Sequence, residues 1–155
     1  MKFKLLEPYI PMFASGLAVT AQVTAASLLL AFALGALIAV GKVLPFRPLR
    51  AALDFYTSIF RGVPLIVLLF IAYFATPQLT GYKIGMFTAA VLTLGLNGSA
   101  TVSETLRGGI EGVDAGQYDA ARSVGLSYAK MMRLVVIPQA LRSVAPALVN
   151  EVITV

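Results

Sequence analysis

From Ala14 to Val40 the chain runs for 27 residues without a charged side chain, and Gln22 is the strongest polar group in the run. A helix needs about 20 apolar residues to cross the hydrocarbon core of a bilayer. This run is long enough to cross with some tilt. It is too long for the core of a signal peptide, and it follows Pro8 and Pro11 rather than a simple basic tip. The residues before it, Lys2 to Met12, are expected to form a short interfacial segment.

The feature repeats along the chain. After a connection at Gly41–Arg50, rich in Pro and basic residues, a second helix is expected over about 55–76, carrying Arg61-Gly62-Val63-Pro64 near its start. Pro and Gly are tolerated in spanning helices where neighbouring groups satisfy the freed backbone, and Arg61 is placed to snorkel toward headgroups. Pro77 to Gly81 reads as a turn. A third uncharged run gives a helix over 84–103, whose Thr88, Thr93, Asn97, Ser99 and Thr101 suit close helix packing. The competing reading has Asn97 and Ser99 lining a translocation path. Composition agrees: 59% of residues are hydrophobic, mean hydropathy is +0.87, and only 12% are charged, against about 25% in soluble domains. A soluble chain of this size could not bury so much apolar surface.

Other classes fall away. With no His and no Cys, imidazole and thiol chemistry, the usual zinc sites and disulfides are excluded, and no metal or cofactor is expected. The net charge of +5 does not indicate nucleic acid, because the basic residues flank apolar runs and no stripe with interleaved aromatics occurs. The positive-inside effect accounts for them. Lys42, Arg47, Arg50, Arg61, Arg107, Arg122, Lys130, Arg133 and Arg142 fall on one side of the membrane, and Lys2, Lys4 and Lys83 on the other. The richer side is expected in the cytoplasm and the N-terminus outside.

This orientation puts the longest polar stretch, Glu104 to Arg142, on the cytoplasmic face. Within Gln117–Arg133 two short helices are expected, split at Gly125-Leu126-Ser127, with Ser127 capping the second. Asp119 is a candidate for capping backbone amides near a helix start. Ala120, Ala121 and Gly125 would form a small face that another protein can approach closely. Pro138 should end or kink the following helix. Ser143–Val155 is a partial fourth helix, too short at about 20 Å to span. The sequence is therefore expected to be a piece of a longer chain.

The polar stretch also resembles a known family. Asp119-Ala120-Ala121, then Gly125, then nine residues to Val135-Val136-Ile137-Pro138, is similar to the EAA loop of bacterial ABC importer permeases, with Asp in place of the usual first Glu. Arg61-Gly62-Val63-Pro64-Leu65, Arg107-Gly108-Gly109-Ile110, Gly116-Gln117 and Ile137-Pro138-Gln139-Ala140 resemble its polar amino acid branch, and the likeness runs from about residue 16 to 155. The resemblance implies an all-α polytopic membrane helix bundle of the type I ABC importer permease kind, with an incomplete core in a single domain over 1–155. It implies a coupling segment at 107–142 that docks a cytoplasmic ATPase subunit dimer through Gln117, Asp119, Ala120, Ala121, Gly125, Leu126, Ser127 and Pro138. It further implies a second permease subunit (the same or related), an extracytoplasmic binding protein, a polar amino acid as substrate, and the bacterial inner membrane as location.

Glu104 and Arg107, at i,i+3, read as a snorkelling ion pair, with gating or loop bracing as the functional alternative. Glu151 is an intramembrane carboxylate, either paired structurally, exposed at the interface, or on the substrate path. Gly81 and Gly85 have the spacing of a close helix crossing, whereas Gly108, Gly112 and Gly116 are expected in loop turns. No GxxxxGK[ST] phosphate loop occurs, so ATP hydrolysis is expected from a partner. The leading expectation is the permease of an ATP-driven amino acid importer. An ion-coupled secondary transporter would want inverted repeats and paired intramembrane charges. A membrane scaffold would need no polar path.

Overall fold

The computed structural model describes residues 9–154, and its elements there are helical. Most of the interfacial segment expected before Met12 lies outside the described residues, and Ile10–Met12 already belong to the first turn of a helix. That helix, α1 (Ile10–Val43), has 34 residues and is apolar around its whole circumference. Pro11 sits in its first turn, where a missing N–H leaves no bond unmade. Leu17, Leu29 and Leu37 are all more than two thirds exposed, an apolar surface suited to lipid or to another membrane helix.

The partner of α1 is α4 (Met86–Glu111). Contacts rise together along both: a Cβ on Gly95 would meet Leu30, a Cβ on Gly35 would meet Val102 at 2.7 Å, and Lys42 reaches Glu104. The two helices therefore run parallel. The buried residues between them are small, including Ser27, Ala31 and Gly35 on one side and Gly95, Ser99, Ala100 and Ser103 on the other. Without a hydrophobic drive between helices in lipid, such surfaces hold by close backbone approach. The α4 helix extends past the expected end at 103, because nothing in Glu104–Ile110 breaks a helix once the charged side chains find partners.

The segment joining two parallel spans must recross the membrane. The helix expected at 55–76 is instead two: α2 (Arg47–Gly62) and α3 (Leu65–Thr80), bent by 102°. Proline disfavours the α conformation in the residue before it, and Val63 is extended at φ −96°, ψ 131°. Gly81 ends α3 in the left-handed region at φ 73°. Gly85 is the N-cap of α4, so this pair serves turns and not a helix crossing.

Three prolines lie within helices without breaking them: Pro146 in regular α-helix, and Pro77 and Pro138 behind a widened turn. A proline ring collides with the carbonyl four residues back, and a widened π-turn relieves that collision. Ile71–Ala75 is such a turn ahead of Pro77, and Met132–Val136 ahead of Pro138. In each case the residue just before the proline donates its N–H five residues back, Thr76 to Ile71 and Ile137 to Met132. Consequently α6 (Tyr128–Thr154) is one helix of 27 residues. It replaces both the helix expected to stop at Pro138 and the partial helix expected at 143–155. Gly109 admits Val144 and the Ala140 carbonyl of α6 against the end of α4. The connection between α4 and α6 shrinks from 107–142 to 112–127, and contains only the short helix α5 (Ala115–Ser123).

Candidate functional site

Both ends of α5 are fixed by local chemistry. Asp114, not Asp119, is its N-cap: the carboxylate accepts from the Gly116 N–H at 2.8 Å. Asp119 falls in the middle of the helix, too far from the free amides, and lies 3.5 Å from Arg122. At the other end the Gly125 N–H donates to Arg122 and the Leu126 N–H to Ala121, with Gly125 at φ 75°. This is the paired bonding of a Schellman motif, which requires a left-handed residue at Gly125.

The inner face of α5 is anchored under the membrane helices. Ala121 packs in a cluster with Met131, Met132 and Val136, against which Val43, Ile110, Tyr118 and Leu126 lie. Ala121 is thus unavailable to a partner, because the helical period turns it inward while Ala120 turns outward. The Tyr118 hydroxyl donates to the Ile110 carbonyl at 2.9 Å. Burial lifts this phenol above its ordinary value, with Tyr128 and Glu111 adding to the effect. The outer face presents Gln117, Asp119, Ala120, Ser123 and an exposed Val124. Gln117 accepts from Gln139 at 3.1 Å, and Pro138 is exposed beside it. Gly125 and Ser127 are also exposed, whereas Leu126 is half-buried. Ser127 holds the N-cap position of α6 but makes no capping bond with its side chain. Of Gly108, Gly112 and Gly116, only Gly112 lies in the turn, as the C-cap of α4.

The residues read as path or packing fall at separate places. Asn97 donates to the Phe60 carbonyl at 2.5 Å, satisfying one of the carbonyls freed where α2 ends. Ser99 is fully buried and meets the Tyr56 hydroxyl at 2.8 Å and the Leu96 carbonyl. Glu151 is half-buried in the last turns of α6 and has no ion-pair partner among the described residues.

A second constellation extends the Glu104–Arg107 pair expected from the sequence. Lys42, at the end of α1, is 2% exposed. Its Nζ lies 2.9 Å from Asp54 Oδ1 of α2, donates to Thr57 Oγ1 at 2.7 Å, and pairs closely with Glu104 of α4. The other Glu104 oxygen takes Arg107 at 2.7 Å, and Arg107 reaches Glu111, the last residue of α4, at 2.7 Å. A buried ammonium is tolerable only when fully paired, and two carboxylates from two helices do this. Beside it opens a polar cleft of about 340 Å³ lined by Arg50, Asp54, Thr57, Ser58, Arg61, Glu104 and Arg107. Lys42 thus departs from its reading as a free basic flank, and Glu104–Arg107 belongs to a network of three helices. One sequence signal was available: Asp54 is the only carboxylate between Glu7 and Glu104.

Comparison with known proteins places the whole chain. Residues 10–155 match the family described as binding-protein-dependent transport system inner membrane component. The arginine transport system permease protein ArtQ of Bacillus subtilis is 44% identical over 99% of this chain and 70% of its own length. A crystal structure of an amino acid ABC transporter with histidines superposes with a TM-score of 0.92 at 40% identity, over 99% of this chain and 72% of that one. The inward-facing MetNI methionine ABC transporter shares the fold, with a TM-score of 0.76 at 24% identity over 96% of this chain and 71% of that one.

Proposed function

The chain belongs to the family of binding-protein-dependent transport system inner membrane components, and we propose that it carries a polar amino acid inward as the membrane permease subunit of an ABC-type importer. Its helix bundle forms the translocation path. Permeases of this family are not ATPases, so the work comes from a partner ATPase, and an extracytoplasmic binding protein delivers substrate. Two permease subunits, two copies of this chain or one with a related permease, frame the path in the bacterial inner membrane. The N-terminus faces outside and α5 the cytoplasm.

The observation that carries this reading is α5 itself. A nine-residue helix, capped at both ends and seated by Ala121 and Tyr118 on the ends of α1, α4 and α6, moves with those helices when pushed. A flexible loop would absorb the push. Gln117, Asp119, Ala120, Gly125, Ser127 and Pro138 are the residues that meet the ATPase, while Ala121 and Leu126 hold the helix from behind. Asn97 and Glu151 remain the candidates for the path. Ser99 supports it from within the bundle.

Co-expression with the ATPase and binding protein, followed by reconstitution, tests the reading. ATP-dependent uptake of arginine, glutamine or cystine is expected, and a bulky residue at Ala120 should abolish it together with ATPase copurification. Uptake that persists without any ATPase subunit would assign the chain to ion-coupled transport.

A further inference from the structure

The helix α2 is held to the bundle in an unusual way. Its one fully buried residue is Thr57, and Thr57 is a polar residue inside the Lys42 cluster. Its other ties to α4 are also polar: the Tyr56 hydroxyl to the Leu96 carbonyl at 2.9 Å and to Ser99, and Asn97 to the Phe60 carbonyl. Against α1 it has one close apolar contact, where Leu53 packs on Gly41, whereas α1 and α4 interlock over several turns through Gly35, Gly95 and their alanines, and α4 and α6 through Gly109. Packed small-residue surfaces resist sliding, whereas hydrogen bonds and ion pairs have discrete alternative arrangements. The molecule therefore divides into a locked body of α1, α4, α5 and α6 and a half-span tied to α4 by polar groups and to α1 by the Lys42 cluster and the single Leu53–Gly41 contact.

The charged groups also connect particular places. Asp54 and Thr57 lie within three turns of the break at Val63–Pro64. Lys42 joins them to Glu104, Glu104 to Arg107, and Arg107 to Glu111. Three residues later Asp114 caps α5. A buried pair adds little stability over apolar residues of similar volume, so bulk stability does not explain three helices converging on one ammonium.

We infer that Lys42 and Glu104 are positioning residues for transport, latching the broken half-span to the root of the cytoplasmic helix so that movement of α5 is passed to α2. This rests on the importer reading above. Neither residue touches substrate or nucleotide in this role. Their loss should lower the amino acid moved per ATP hydrolysed without changing the substrate concentration at half-saturation.

The test uses the assembled importer in proteoliposomes, with Glu104→Gln, Lys42→Met and, at the exposed end of the network, Glu111→Gln. Glu104→Gln and Lys42→Met should copurify with the ATPase and keep basal hydrolysis, yet transport about fivefold or more less amino acid per ATP. Glu111→Gln should give a loss of about twofold at unchanged thermal stability. It decides the matter should the buried variants fail to assemble. Because the chain has no native cysteine, spin labels at Ala51→Cys and Gly108→Cys can follow α2 against α4. The distance should shift between nucleotide-free and ATP-trapped states in the parent, and the shift should be lost in Glu104→Gln. An assembled variant with the parent's transport ratio and distance shift overturns the inference. A parent that shows no ATP-dependent uptake overturns the importer reading instead.

Discussion

Gly125 and Gly62 carry opposite demands despite being the same residue type. Neither would bring a Cβ within 4 Å of another group, so space does not distinguish them. Conformation does. Gly125 is left-handed at φ 75°, where an L side chain costs about 1–2 kcal/mol, and Gly62 closes the last turn of α2 at ordinary angles. Gly125→Ala should lower the thermal midpoint of the purified protein in detergent by an amount matching that cost, and Gly62→Ala should leave it nearly unchanged. Gly35 is a third case, limited by volume alone. A Cβ there meets Val102 at 2.7 Å and the Ser99 carbonyl at 3.0 Å, so Gly35→Val should destabilise by about 1–3 kcal/mol through overpacking. A thermal melt within 0.5 °C of the parent would contradict the close crossing of α1 and α4.

At the scale of elements, Pro64, Pro77 and Pro138 act according to the turn that precedes them. Pro64 follows an extended Val63 and turns the chain by 102°. Pro77 and Pro138 follow π-turns and stay within their helices. Residue type alone does not separate these outcomes. The caps of α5 give a sharper expectation, because this helix is too short to persist on propensity. Asp114→Ala removes the acceptor for the Gly116 amide and should cost about 1 kcal/mol. Hydrogen exchange should quicken at Gly116 and Gln117 first, with α4 and α6 unaffected. Asp119→Ala, a substitution at a mid-helix exposed site, should leave those amides as they were. Equal effects from the two would return the cap to Asp119.

At the scale of the whole molecule, parallel α1 and α4 fix which ends lie together. The ends at Lys42 and Glu111 share one membrane face with α5, and Tyr82, between α3 and α4, lies at the other. A membrane-impermeant thiol reagent should label Tyr82→Cys from outside intact cells and Ala120→Cys only after the cytoplasmic side is exposed. The reverse pattern would invert the orientation argued from the basic residues.

The membrane class, the helical character and the turn at Gly125 were legible in the sequence because each follows from local properties. Uncharged runs longer than a bilayer is thick must be helices in lipid, and a glycine between two short periodic segments marks a turn wherever the chain folds. Tertiary structure alone decided the rest. Pro138 is carried by a π-turn whose upstream residues pack on Ala121, so its helix begins ten residues before it. Lys42 leaves the headgroups for the interior because Asp54 and Glu104, 12 and 62 positions away in sequence, arrive on two other helices to neutralise it. Charge compensation across such distances leaves no periodic trace in a sequence, and it is this compensation that sets how the broken half-span is held.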